Sequence, residues 1–124
     1  MFKPCILLYF EEAQFKDKIQ EIAADKKVEI WFVTRGDQLS QLVKTYVPFI
    51  LLVDLSGSDS GWLFRHISII KHTNPNFPIC AVIEEDQEDV QMRAEKYGCD
   101  KILIKSKLVQ KLPDIIERAL RKTL

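Results

Sequence analysis

The chain carries no net charge: 18 lysines and arginines balance 18 acids over 124 residues. That balance removes any bulk electrostatic argument for a nucleic-acid or anionic-lipid partner. Long hydrophobic runs are also missing, since no stretch approaches the roughly 20 apolar residues that span a bilayer. Nothing near Met1-Phe2-Lys3-Pro4-Cys5 resembles a signal-peptide cleavage site, so the expectation is a cytoplasmic protein without a membrane partner. Cysteines number three, Cys5, Cys80 and Cys99. They are odd in number and far apart, which excludes a disulfide framework or a zinc motif. Cys5 and Cys80 are expected as small apolar groups in strands. Cys99, just after Gly98, is expected to be partly exposed. No linker, repeat or low-complexity segment divides the sequence, and at this length one core suffices.

What the chain does have is alternation. Apolar runs at Cys5–Phe10, Val28–Val33, Phe49–Val53, Ile79–Ile83 and Lys101–Ile104 read as strands. Between them, Phe15, Ile19, Ile22 and Ala23 keep the spacing of one helix face, as do Leu39, Leu42, Val43 and Tyr46. Asp37 or Ser40 is available to cap that second helix. Leu63, Ile67 and Ile70 predict a third helix ending before Asn74-Pro75. Val90, Ala94 and Tyr97 predict a fourth, which Gly98 ends. Leu108, Leu112, Ile115, Ile116, Ala119 and Leu120 predict a last one. Pro113 lacks an amide donor, so regular helix is expected to start near it or to have a distorted first turn.

Five strands joined by helix-sized connections must be parallel. The central runs are apolar throughout, as strands covered on both faces require. The chain is therefore a (βα)5 doubly wound α/β protein. Asp54 ends the third apolar run and Lys105 the fifth, so a carboxylate and an ammonium project from one edge. That edge, at the carboxyl ends of the strands, is where open α/β sheets place their chemistry.

Several fragments carry a family resemblance. Lys3-Pro4-Cys5-Ile6-Leu7-Leu8 looks like a first strand, and Pro48-Phe49-Ile50-Leu51-Leu52-Val53-Asp54-Leu55 like a third strand with its acceptor aspartate. Asn76-Phe77-Pro78-Ile79 looks like the entry to a fourth strand, and Gly98-Cys99-Asp100-Lys101 like the turn into a fifth. In this order and spacing, over essentially residues 1–124, the sequence resembles the receiver domains of two-component response regulators. The resemblance implies a flavodoxin-like sheet of order 2-1-3-4-5; because the last helix reaches the end of the sequence, a single receiver-like domain without an output domain is expected. The resemblance also implies Asp54 as the phosphoacceptor position and Lys105 as the phosphate-sensing lysine. Mg²⁺ would be held by Glu11, Asp54 and a backbone carbonyl at Ser56, with Glu12 as a possible substitute ligand.

Several positions depart from that pattern. The acidic pair after the first strand reads Phe10-Glu11, which weakens a site for a cation that wants near-octahedral oxygen ligands. The hydroxyl expected at the end of the fourth strand is Ile83, which donates no hydrogen bond. The small residue expected next is Glu84, bulky and negative, a candidate to block the pocket. Two unit charges at about 4 Å interact by about 4 kcal/mol at a surface-like dielectric, so a glutamate held there opposes a phosphoryl group. The aromatic switch position in the fifth strand is Ile102, and Ser106 replaces the usual proline. The loop from Leu55 to Gly61 is one residue short and pliable at Gly57.

Asp54 and Lys105 thus have two readings, a structural ion pair and a phosphorylatable site; Ile83 and Glu84 favour the first. The acid run Glu84–Asp89 is read as favourable charge at a helix N-terminus, with an acidic docking loop as the sharper alternative. His66 and His72 are six apart, off one helix face, and read as surface or partly buried groups. Trp62 is read as packing near the site, and an exposed Trp31 would mark an interface. Lys101, Lys105, Lys107 and Lys111 read as a solvated face.

The expected function is a non-enzymatic, atypical receiver-like signalling domain. It would act through protein contacts with a histidine kinase or downstream target, on the surface of the fourth helix, fifth strand and fifth helix, with homodimerisation open. The alternative is a response regulator phosphorylated on Asp54 with Mg²⁺ at Glu11. A flavodoxin-like carrier or small enzyme is the weakest reading. Glu11-Glu12-Ala13-Gln14 stands where a cofactor phosphate would want a glycine-rich turn, and its carboxylates have the wrong sign.

Overall fold

In the computed structural model, residues 4–10, 13–33, 39–57 and 61–123 are described, without the side chains at 13, 14, 46, 62, 122 and 123. Strands β1 (Cys5–Tyr9), β2 (Glu29–Val33), β3 (Ile50–Asp54), β4 (Ile79–Ile83) and β5 (Lys101–Ile104) alternate with helices. The helices are α1 (Ala13–Asp25), α2 (Leu39–Tyr46), α3 (Gly61–Thr73), α4 (Glu88–Tyr97) and α5 (Leu108–Thr123). The strands form one parallel sheet in the order β2-β1-β3-β4-β5, as expected.

Every residue of β1, β3 and β4 is buried, because helices cover both faces. One face packs Ile6, Leu8, Leu52 and Val82 against Ile19 of α1 and Leu112 and Ile116 of α5. The other packs Leu7, Leu51, Val53 and Ile79 against Leu39, Ile67 and Ala94 of the remaining helices. Burying each such aliphatic side chain is worth about 1.5–3 kcal/mol relative to exposure. The sheet is therefore a stiff platform, and its upper edge can hold side chains in fixed positions.

Local chemistry explains where elements end. Gly98 takes φ 114°, which suits glycine, and closes α4. A Cβ there would also lie 2.7 Å from Lys71 Cγ. Lys71 runs beneath that glycine to reach Asp100 at 2.6 Å. Gly98 is therefore required twice, for the turn and for the lysine.

Some expectations need correction. Phe10, Val28 and Phe49 lie just outside the strands, while Asp54 lies within β3. Ser40 sits inside α2, so it is no cap, and its hydroxyl lies 3.3 Å from His66 Nδ1. Asp37, the other proposed cap, lies outside the described residues. The last helix starts at Leu108, five residues before Pro113, after a 3-10 turn over Lys105–Lys107. Leu108, Leu112, Ile115 and Ile116 bury one face on the sheet, and that packing outweighs the missing amide of Pro113. Cys99 is buried, because its backbone folds back to donate to the Ala94 carbonyl. Lys105 departs from the solvated lysine face: it is buried, while Lys101, Lys107 and Lys111 are exposed. Trp31 is 43% exposed on the edge strand β2.

Candidate functional site

Apart from Lys105, the only charged residue buried among the described ones is Asp54. The two meet at the carboxyl edge of the sheet. Val53 pairs with Ala81 and Asp54 with Val82, which sets Asp54 beside the end of β4; Ile83 pairs with Ile104, which places Lys105 one step beyond. Lys105 Nζ lies 3.4 Å from Asp54 Oδ2, with both side chains under one-tenth exposed. Its ammonium also stands 5.5 Å from the centroid of the Phe15 ring on α1, a cation–π contact.

Ser56 ties the pair together. Its backbone N–H donates to Asp54 Oδ1 at 3.0 Å, and its hydroxyl donates to the same oxygen at 2.5 Å. Lys105 Nζ in turn donates to the Ser56 hydroxyl at 3.0 Å. Both carboxylate oxygens therefore face donors. Removing any member leaves a buried charge with fewer partners, which costs more than the bond is worth in water.

The segment after β4 closes the site from above. Glu84 to Gln87 forms a turn, with the Gln87 N–H 3.3 Å from the Glu84 carbonyl. Gln87 precedes α4 without capping it. Its side-chain oxygen instead accepts from the Glu84 N–H at 2.8 Å, and its Nε2 donates to the Ser56 carbonyl at 3.3 Å. Glu84 is half exposed, with Oε1 3.9 Å from Lys105 Nζ. Ile83 is buried in the core on the α3 and α4 side of the sheet, and Ile102 is half-buried and packed against that core.

The structure thus brings together Asp54, Ser56, Lys105 and Glu84, with Ile83 beneath them. Glu11 lies outside the described residues, and so does the side chain of Trp62. Sequence reasoning missed the hydroxyl role of Ser56 and missed Gln87 altogether. A serine two places after a strand-end aspartate was a usable signal, because short hydroxyl side chains bond locally to acceptors. Nothing in the sequence marked Gln87.

Of the ligands the resemblance implies for a divalent cation, the described residues hold Asp54 and the Ser56 carbonyl, while Glu11 and Glu12 lie outside them. No group of three His, Cys, Asp or Glu among them could hold a metal. Asp54 has a protein donor facing each oxygen, and the Ser56 carbonyl faces the Gln87 amide. Cysteine chemistry is equally remote, since burial pushes the thiols of Cys80 and Cys99 up to about 12 each. Among the described residues, no helix is long and apolar enough to cross a membrane.

A doubly wound five-stranded parallel sheet of order 2-1-3-4-5, here with a polar cluster at the ends of β3, β4 and β5, is the flavodoxin-like receiver architecture. Solved structures with that fold superpose closely. A CheY-like protein (TadZ) from Pseudomonas aeruginosa matches with a TM-score of 0.80 at 13% identity, over 94% of this chain and 99% of that one. The chemotaxis protein CheY4 of Vibrio cholerae matches at 0.78 and 12% identity, over 95% and 99%. A response regulator protein from Burkholderia multivorans matches at 0.78 and 16%, over 94% of each. No family model and no curated protein matches the chain. At these identities the likeness establishes the fold, which is that of CheY-like and response-regulator receiver domains.

Proposed function

We propose that this chain is an atypical receiver-like signalling domain, working in the cytoplasm by protein–protein contact with phosphorylation of Asp54 impaired or absent. Its partner is a signalling protein, a kinase or a downstream target, met on the surface of α4, β5 and α5. The observation that carries the reading is that both Asp54 oxygens face protein donors, from Ser56 and Lys105. Donors on a carboxylate lower its nucleophilicity, and those at the mouth of the site must be shared with or displaced by an incoming phosphoryl group. The lysine that would receive the phosphoryl charge is shared with Glu84. Ile83 supplies no hydroxyl to replace what Ser56 has committed elsewhere.

A second reading, a phosphorylatable Asp54, is favoured by one observation: Lys105 already stands within ion-pair distance of it. Intact-mass measurement after incubation with acetyl phosphate and Mg²⁺ separates the two. The expected result is an unmodified wild type. A phosphoryl group gained by the wild type and missing from Asp54→Asn would overturn the proposal.

A further inference from the structure

At the edge of the sheet opposite Asp54, where β3, β4 and β5 begin, a cavity of about 470 Å³ opens beneath α5. Its floor is apolar: Ile50 from β3 and Cys80 from β4 meet Ile115 and Ala119 from α5, all on one face of the sheet. Its rim is charged, and three of the four charged groups there, Lys101, Arg118 and Arg121, are basic. The fourth, Asp100, turns its carboxylate to Lys71 at 2.6 Å and to the Ile79 N–H at 2.9 Å. Its negative charge is therefore spent on groups that already hold it. Lys26 chiefly, with Arg121 adding to it, holds the Glu117 carboxyl below the usual range; Lys101 and Arg118 are the other two cations of the rim.

A cavity of this size lies within the roughly 300–1,000 Å³ typical of small-molecule sites, which are apolar with a few placed polar groups. The apolar floor favours a hydrocarbon or aromatic body. The basic rim favours a negative head at the mouth and disfavours a cationic one. We infer that this cavity binds a small amphiphilic carboxylate, its apolar tail against Ile50, Cys80, Ile115 and Ala119 and its head between Lys101 and Arg118. The inference stands independently of whether Asp54 is phosphorylated.

The test uses the whole chain and decanoate, below the concentration at which it forms micelles, with amide chemical shifts and calorimetry as readouts. Saturable binding is expected, with the largest shifts at Ile50, Cys80, Arg118 and Ala119. Decanol is expected to bind at least about tenfold more weakly. Lys101→Glu and Arg118→Glu, both at exposed positions, should each weaken decanoate about tenfold while the circular dichroism spectrum stays unchanged. Absence of saturable binding would overturn the inference. So would shifts mapping to another surface, or decanol binding as tightly as decanoate with both charge variants unaffected.

Discussion

Asp54→Asn keeps the size of the side chain and one acceptor oxygen while removing the charge. The N–H and hydroxyl of Ser56 can still donate to that oxygen. The atom then facing Lys105 Nζ, 3.4 Å away in the wild type, becomes an NH₂ donor, so donor meets donor. A carboxylate and an ammonium at that separation attract by about 5 kcal/mol at an effective dielectric of 20. Keeping the carboxylate out of water offsets part of this, and breaking one partner of a buried pair costs about 3–5 kcal/mol when the other charge stays buried. Glu84, half exposed and 3.9 Å from the lysine, compensates in part. The expected loss is about 2–4 kcal/mol, a large share of the about 5–15 kcal/mol that holds an ordinary domain together.

Urea unfolding followed by circular dichroism reads this directly. With a slope of about 1–3 kcal/mol per molar, the midpoint should fall by about 1–2 M. Ser56→Ala should lose about 1.5–3 kcal/mol through the hydroxyl's bonds to two charged groups. The double variant should lose less than the sum, because both changes act on one network. The opposite sign would be decisive. If Asp54 belonged to a cluster of carboxylates awaiting a cation, its neutralisation would relieve like-charge repulsion and raise the midpoint. A raised or unchanged midpoint refutes the buried-pair reasoning.

Val47, 71% exposed, closes α2 with φ 46°, a conformation that costs a side-chain-bearing residue about 1–2 kcal/mol. Val47→Gly should therefore gain about 0.5–1 kcal/mol after glycine's entropic cost, and a lower thermal midpoint in the variant would contradict this. Cys80 and Cys99, with thiols pushed up to about 12 by burial, should resist iodoacetamide at pH 8 until urea is added. Because the folded-state values are raised, the thiols' contribution to stability is complete below the ordinary value of 9.0 and is lost as pH rises toward 12. Urea midpoints should accordingly fall between pH 9 and 11, and native-state alkylation or a flat profile would count against buried thiols.

The sheet and its polar edge were legible for one reason. Strands covered on both faces must be apolar throughout, so the charged residues ending those runs, Asp54 and Lys105, stand out in the linear sequence. Helix ends were less legible. Leu108 to Leu112 precede Pro113 with helical spacing, yet only the contact of α5 with the sheet reveals that helix forms there despite the proline. Ser40 looked like a cap because of its type, but α2 already includes Leu39, whose side chain is buried. Gln87 was invisible. Its reach to the Ser56 carbonyl joins positions 31 residues apart through side-chain geometry, and no spacing rule encodes that.

The distribution of hydroxyl groups bears most directly on what the edge can do. The fourth strand ends in Ile83, whose side chain serves the core, while the hydroxyl at the edge belongs to Ser56 and lies between Asp54 and Lys105. A hydroxyl on the fourth strand would stand across the site and could bond an incoming oxygen. A hydroxyl on the loop after Asp54 bonds inward, to the aspartate itself. Asp54, Glu84 and Lys105 together carry one net negative charge, and a phosphoryl group brings about two more. An anion entering here would have to displace the serine, compete with Glu84 for the one lysine, and gain no donor from Ile83. Each of those steps raises its free energy, whereas a protein partner docking on the outer face of α4 and α5 meets none of them.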